Sequence, residues 1–231
     1  MKRSYLFLAL FCFACAQSEN RKVSTLQSCQ YEAQSLPVEL EPRIPEDIEI
    51  FPELADTNYI CIIAKPGLGR FDIGHTLMFA KLTRNTDSYR YLVFEHHRKT
   101  LPTQGHLDRL VQTSHTHNTG SPFALCLRDL TLETEEQFIE AYETYRAHKE
   151  PFNNFTYNCT DFAIQKFEKF SGLHLSAKNI FRVSNPSMLR EEMIKLSQFS
   201  DYREQFYMIE DVREYTQYYL NTYYPEFDGR L

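Results

Sequence analysis

Every strand-like run in this 231-residue chain falls before residue 128, and every long helical pattern comes after residue 130. That order constrains the fold more than any single motif. A parallel sheet needs a long crossover, usually a helix, between successive strands. Strands separated only by turns pair antiparallel, and the helices that follow must cover the resulting sheet. The expected class is therefore α+β, a small antiparallel sheet packed against helices.

Tyr59 to Ala64 (YICIIA) is the first apolar run, so the compact domain is expected to start near Asn58. Pro66, Gly67 and Gly69 then turn the chain. A second strand begins at His75 (HTLMFAKLT). Alternation puts Thr76, Met78 and Ala80 on one face and His75, Leu77 and Phe79 on the other. Tyr89 to His96 is the third strand and Pro122 to Leu127 the fourth, with Thr100 to Thr119 between them as a long polar loop. Thr134 and Gln137 resemble a capping box, and Phe138, Ala141, Tyr142 and Tyr145 follow at helical spacing. A helix is predicted over Glu135–His148. Others are predicted over Asn158–Ser171 with Gly172 as its stop, over Ser187–Ser197 after Pro186, and over Ile209–Tyr223 before Pro225.

The N-terminus carries an export pattern. Lys2 and Arg3 precede the apolar run Tyr5–Phe13, which is too short to span a bilayer. Ala14-Cys15-Ala16 then offers a small-x-small cleavage site, making residues 1–16 a signal peptide. Cys12-Phe13-Ala14-Cys15 also resembles a loose bacterial lipobox, in which Cys15 would be lipidated and would anchor the chain to a membrane. Cys12 and Phe13 depart from the usual residues there. Residues 17–57, polar and proline-bearing, are expected as an extended tether. Residues 58–175 are expected as the domain and 176–231 as a C-terminal helical extension. The chain is expected to be periplasmic, an outer-membrane lipoprotein or extracellular.

Composition excludes some functions. A formal net charge of −6 without a basic face argues against nucleic acid as a partner. Eighteen Phe and fifteen Tyr suit a core more than a ligand platform. An exported chain meets oxidising conditions, and Cys29, Cys61, Cys126 and Cys159 remain after the signal. Four cysteines allow three full pairings. Cys61 and Cys126 lie in strand-like runs and read as buried thiols or as a cross-strand pair. Cys159 is open to a disulfide as well.

Cys159 is the candidate nucleophile. Asn158 is a good helix N-cap, and Asp161 three positions later resembles a capping-box partner, so Cys159 should lie in the first turn of a helix. Backbone N–H groups there lack intrahelical acceptors and the macrodipole is positive. Both favour a thiolate and can receive an oxyanion. Asp161 opposes this by competing for the N–H groups and repelling a thiolate. A thiolate needs a base, and His75, opening a strand after Gly74, is the candidate among eight histidines.

The pair GHT (Gly74, His75, Thr76) and NCTDFA (Asn158 to Ala163) resembles the circularly permuted papain-like cysteine hydrolases. These include bacterial cell-wall amidases and endopeptidases and the lecithin:retinol acyltransferase relatives. In that group the histidine strand precedes the cysteine helix, as here. The resemblance covers roughly Tyr59 to Leu173 and implies a permuted papain-like fold. It also implies a third polar residue on the next strand that orients the histidine. Glu95 in YLVFEHH is preferred for that role, since a carboxylate fixes the imidazole tautomer, and His96 is the alternative. Tyr157 and Asn158 are candidates for positioning the oxyanion, with packing and capping as their plain roles.

The implied reaction is acyl transfer from a peptide or other acyl substrate to water, without metal or cofactor. A peptidoglycan peptide suits the compartment. The alternatives are a non-catalytic envelope binding or structural lipoprotein of the same fold, and an acyltransferase. His96-His97 and His115-x-His117 lack any metal-site spacing and read as parts of a solvated loop. Asn154 and Asn158 each match a glycosylation sequon, which at Asn158 would obstruct the site.

Overall fold

The computed structural model describes residues 40–68, 74–86, 89–97, 105–116, 119–148, 150–178, 183–199 and 204–230. The signal and lipobox readings, with Cys15, and most of the expected tether lie outside these residues. Five strands form one antiparallel sheet, β1 (Tyr59–Lys65), β2 (His75–Thr86), β3 (Tyr89–Glu95), β4 (Phe123–Arg128) and β5 (Phe206–Ile209), in the order β3-β2-β1-β4-β5. Among the described residues five α-helices cover it: α1 (His106–Ser114), α2 (Leu132–Ala147), α3 (Cys159–Ser171), α4 (Pro186–Leu196) and α5 (Val212–Tyr223). The α+β class expected from the element order is the class observed.

Both faces of the sheet are covered, which is why the central strand β1 is buried at every position. On one face Ile60, Ile62, Met78, Ala80 and Phe94 pack under Phe138 of α2, Phe162 and Phe167 of α3, and Leu189 and Met193 of α4. On the other, Cys61, Ile63, Leu77 and Phe79 pack under Leu107, Leu110 and Val111 of α1 and Val212 of α5. Burying each of these large side chains contributes about 1.5–3 kcal/mol, so the helices on both faces hold the sheet.

Five expectations change. The second core also takes Ile44, Ile50, Phe51 and Leu54, so the part of the expected tether from Leu40 onward belongs to the domain. Its apolar residues are spaced without a period, so no pattern marked them. The expected C-terminal extension supplies β5 and α5 to the same sheet and cores. Residues Phe206–Ile209 are a strand paired with β4, and the last helix starts at Val212, capped by the Asp211 side chain. Helix α1 lies in the stretch expected as a polar loop. Finally, α2 starts earlier than predicted, with Thr131 rather than Thr134 as its N-cap.

Cys61 and Cys126 face each other in the β1–β4 register and form a disulfide, which leaves Cys159 a free, buried thiol. The bridge closes a separation of 65 residues. Replacing both cysteines with alanine is expected to lower the unfolding free energy by roughly 2–4 kcal/mol. Urea denaturation monitored by circular dichroism measures this, and the strand and helix content before the transition should not change.

Candidate active site

Cys159 is the first residue of α3, and Asn158 caps it. Asn158 Oδ1 accepts from the N–H groups of Thr160 (2.8 Å) and Asp161 (3.2 Å). Asp161 Oδ2 accepts in return from the Asn158 N–H (3.2 Å), completing a capping box. Asp161 Oδ1 takes the Ser184 hydroxyl at 2.5 Å. The carboxylate expected to compete for the first-turn amides is thus engaged by the cap and by Ser184. Two of those amides go to Asn158, and the cap leaves the N–H of Cys159 itself for an oxyanion.

His75 opens β2 beside this helix start. Gly74 before it has φ +73°, and a Cβ there would lie 2.1 Å from the Lys65 carbonyl oxygen and 2.6 Å from the Gly67 nitrogen. Only glycine lets the strand begin so close to the end of β1. The buried hydroxyls of Thr76 and Thr160 lie 3.0 Å apart and tie the start of β2 to the first turn of α3. The His75 ring stands close enough to the Cys159 sulfur for each to shift the other's ionisation, and the Thr76 backbone N–H and the Thr160 hydroxyl lie beside the sulfur as well. His75 Nε2 lies 3.0 Å from Glu95 Oε1, so Nδ1 is the ring nitrogen left for the sulfur.

The charges reinforce one another. Burial opposes ionisation of Cys159, but the His75 charge and hydrogen bond, with the Thr76 and Thr160 donors, bring its pKa below the usual thiol range. Burial likewise opposes a charge on His75, but the thiolate and Glu95 outweigh it and raise the imidazole to about 9. Burial would raise Glu95, yet Arg109 foremost, and then His75, hold it well below the ordinary carboxylate range. The arrangement favours a thiolate–imidazolium pair backed by a carboxylate.

Cys159, His75 and Glu95 therefore meet in one place. His96 does not join them: it is fully buried, with Nδ1 3.0 Å from the Tyr145 hydroxyl and its ring stacked on Phe162. The expected oxyanion roles of Asn158 and Tyr157 do not match their contacts. Asn158 Nδ2 donates to the Ser184 carbonyl at 2.9 Å, and the Tyr157 hydroxyl sits between Glu150 Oε2 (2.5 Å) and Gln165 Oε1 (2.7 Å). Asn158 shapes the helix start, and Tyr157 packs beside it. His115 bonds the Thr216 hydroxyl at 2.9 Å and is pushed down to about 4 by burial, with help from Arg213 and Lys65. His117 lies outside the described residues.

Sequence reasoning missed the residues behind Glu95. Arg109 Nε donates to Glu95 Oε2 at 2.7 Å and the Thr113 hydroxyl to Oε1 at 3.4 Å, both from α1. His97 Nε2 lies 4.0 Å from the same Oε1. The available signal was the spacing of Leu107, Leu110 and Val111, which marks a helix and sets Arg109 and Thr113 one turn apart.

Arg109→Met should weaken the field that keeps Glu95 ionised, and with it the imidazolium. The pH at which half of Cys159 labels with iodoacetamide in the folded protein is expected to rise by about one unit, and Arg109→Lys should restore part of that shift. Identical profiles for wild type and Arg109→Met would remove Arg109 from the network.

No protein-family model and no curated protein matches the chain. Among solved structures, the crystal structure of a type VI secretion system effector, TseH, is similar over 60% of this chain and 88% of its own length. The identity is 14% and the TM-score 0.36.

Proposed function

We propose that this chain is an exported thiol hydrolase that cleaves an amide bond through Cys159 and His75. The observation that carries the reading is a buried free sulfur at the head of a helix beside an imidazole whose Nε2 is held 3.0 Å from a carboxylate. Sulfur, ring and carboxylate come from α3, β2 and β3, so the arrangement is a product of the tertiary fold.

The reaction follows from the geometry. With its proton on His75 Nδ1, the Cys159 sulfur attacks the scissile carbonyl carbon. The oxyanion that forms takes the Cys159 N–H, and a donor of this kind contributes about 10²–10³ in rate. The C–N bond breaks as Nδ1 returns its proton to the leaving amine, which leaves a thioester on Cys159. Nδ1, again neutral, then takes a proton from water as the water oxygen attacks the thioester. Collapse expels the thiolate and releases the acid. Glu95 keeps the ring oriented and stabilises its positive form throughout.

Export is supported by the N-terminal pattern and by the Cys61–Cys126 bridge, which suits an oxidising compartment. Among the described residues no helix is long and apolar enough to cross a membrane. The loose lipobox at Cys15 offers a lipid as the means of attachment. An envelope location makes a peptidoglycan peptide the substrate to try first.

Purified peptidoglycan incubated with wild type should yield new amino groups that Cys159→Ala does not release. His75→Ala should lower the rate at least ~10³-fold. Equal product profiles for wild type and Cys159→Ala would remove this substrate. Slow iodoacetamide labelling of Cys159 with an ordinary thiol titration would instead favour a binding protein of the same fold. The rate should be flat where the ion pair stands. It should fall on the acid side as the thiolate regains its proton, and above about 9 as His75 loses its own.

A further inference from the structure

We propose that His75, Glu95 and His97 form a binding site for a divalent transition-metal cation of the zinc type, and that the bound metal switches off the thiol chemistry. The site itself stands on geometry. Its inhibitory consequence rests on the hydrolase reading above.

Two imidazoles offer Nε2 to one carboxylate oxygen. His75 Nε2 lies 3.0 Å and His97 Nε2 4.0 Å from Glu95 Oε1, and the two rings are 4.4 Å apart between centroids. The three ligand atoms all lie within 4.8 Å of one another. The acyl-transfer mechanism moves protons through one imidazole and gives the second no proton-transfer step. Two histidines and a carboxylate are, however, a donor set for zinc and its neighbours. Hard cations such as magnesium and calcium prefer oxygen. Metal–ligand bonds of about 2.0–2.2 Å put tetrahedral ligand atoms roughly 3.3–3.6 Å apart, between the two separations found here.

The place suits entry of an ion. Leu77 and Glu95 are the last registered pair of β2 and β3 at this end, and His97 lies beyond β3. The His97 side chain is 37% exposed, against 14% for His75 and 9% for Glu95. Arg109 and Thr113 hold the Glu95 carboxylate from behind, as outer-shell partners do in metal sites. The charge of Arg109 opposes a second cation, but it sits on Oε2, while Oε1 faces the two rings and takes only a long bond (3.4 Å) from the Thr113 hydroxyl.

The chemistry of inhibition balances. The metal takes the Nε2 lone pair that holds a proton in the imidazolium, so binding releases one proton from His75. Glu95 Oε1 turns from hydrogen-bond acceptor to metal ligand. The ring keeps its Nδ1 proton, and a neutral metal-bound imidazole gives that proton up far less readily than an imidazolium does. His75 can then neither protonate the leaving amine nor take a proton from water.

The binding test uses the full chain as Cys159→Ala, stripped with chelator and titrated with zinc chloride against a chromophoric chelator. This variant lacks the sulfur, a competing ligand, and its readout needs no hydrolysis. One zinc per chain is expected, with affinity reduced at least roughly tenfold in His97→Gln and in Glu95→Gln. Absence of saturable binding, or one zinc bound equally well in all three proteins, would overturn the site; the second result would mean an adventitious ion only. In the wild type, zinc should slow hydrolysis, and half-inhibition in His97→Gln should need at least tenfold more zinc, each variant being compared with its own metal-free rate. Thermal melts of the metal-free variants confirm folding, and His97→Ala serves if the glutamine still coordinates. Zinc bound at these residues without any effect on the wild-type rate would overturn the switch. If no substrate is ever cleaved, the titration still decides the site.

Discussion

The site depends on how the first residues of β2 meet the first turn of α3. The Thr76 and Thr160 hydroxyls lie 3.0 Å apart and both residues are buried. A buried hydroxyl left without a partner costs roughly 1–3 kcal/mol, so sliding the helix along the strand, which breaks this pair, is opposed by a cost of that order. Because Cys159 and His75 are the residues just before these two threonines, the same contact sets the distance between sulfur and ring. Gly74 completes the constraint from the other side, since a side chain there would strike the β1 backbone and move the histidine.

A buried charge pair is not stabilising merely because it is buried. Each ion loses hydration, and removing one partner costs about 3–5 kcal/mol because the other is left uncompensated. Here each buried charge has more than one neighbour. Glu95 is held by Arg109, Thr113 and His75, and the sulfur by His75, Thr76 and Thr160. Several partners per ion are what a site with little water requires. It also explains how α1 bears on the chemistry proposed at α3: it supplies the cation that lets Glu95 face the imidazole as a carboxylate.

Much of this was legible in the sequence, and the rest failed for identifiable reasons. Asn158, Cys159 and Gly172 mark both ends of α3 by local capping chemistry, which depends only on neighbours. His75 stood out as a histidine opening a strand after a glycine, whereas Glu95 came from the resemblance, which implied a polar residue on the next strand, with a carboxylate preferred over His96. Strand alternation could not say which face α3 would cover. Helix α1 was hidden because Arg109, Gln112, Thr113 and Ser114 give it a polar composition, although only three apolar positions are needed to dock one helix on a sheet. Ile44 and Phe51 were hidden because a segment that packs irregularly has no period to detect. The four residues of β5 offered no alternation long enough to outweigh the helical pattern that follows them.

Which force makes the thiol acidic can be decided by magnitude. The macrodipole at a helix N-terminus is worth about 0.3–1 kcal/mol when exposed and up to about 2 in partly buried sites. Here Asn158 takes two of the first-turn N–H groups through which that dipole acts, and Asp161 adds a negative charge within the same turn. An imidazolium beside the sulfur in a buried site is a full charge at close range, a larger influence than the partial charge of a helix terminus whose amides are already engaged. The helix start therefore serves mainly to aim the sulfur and to present the Cys159 N–H, while ionisation is the work of His75. On that division of labour, the acidity of the sulfur is governed from β2, β3 and α1 on the far side of the imidazole, and the capping residues govern where the sulfur points.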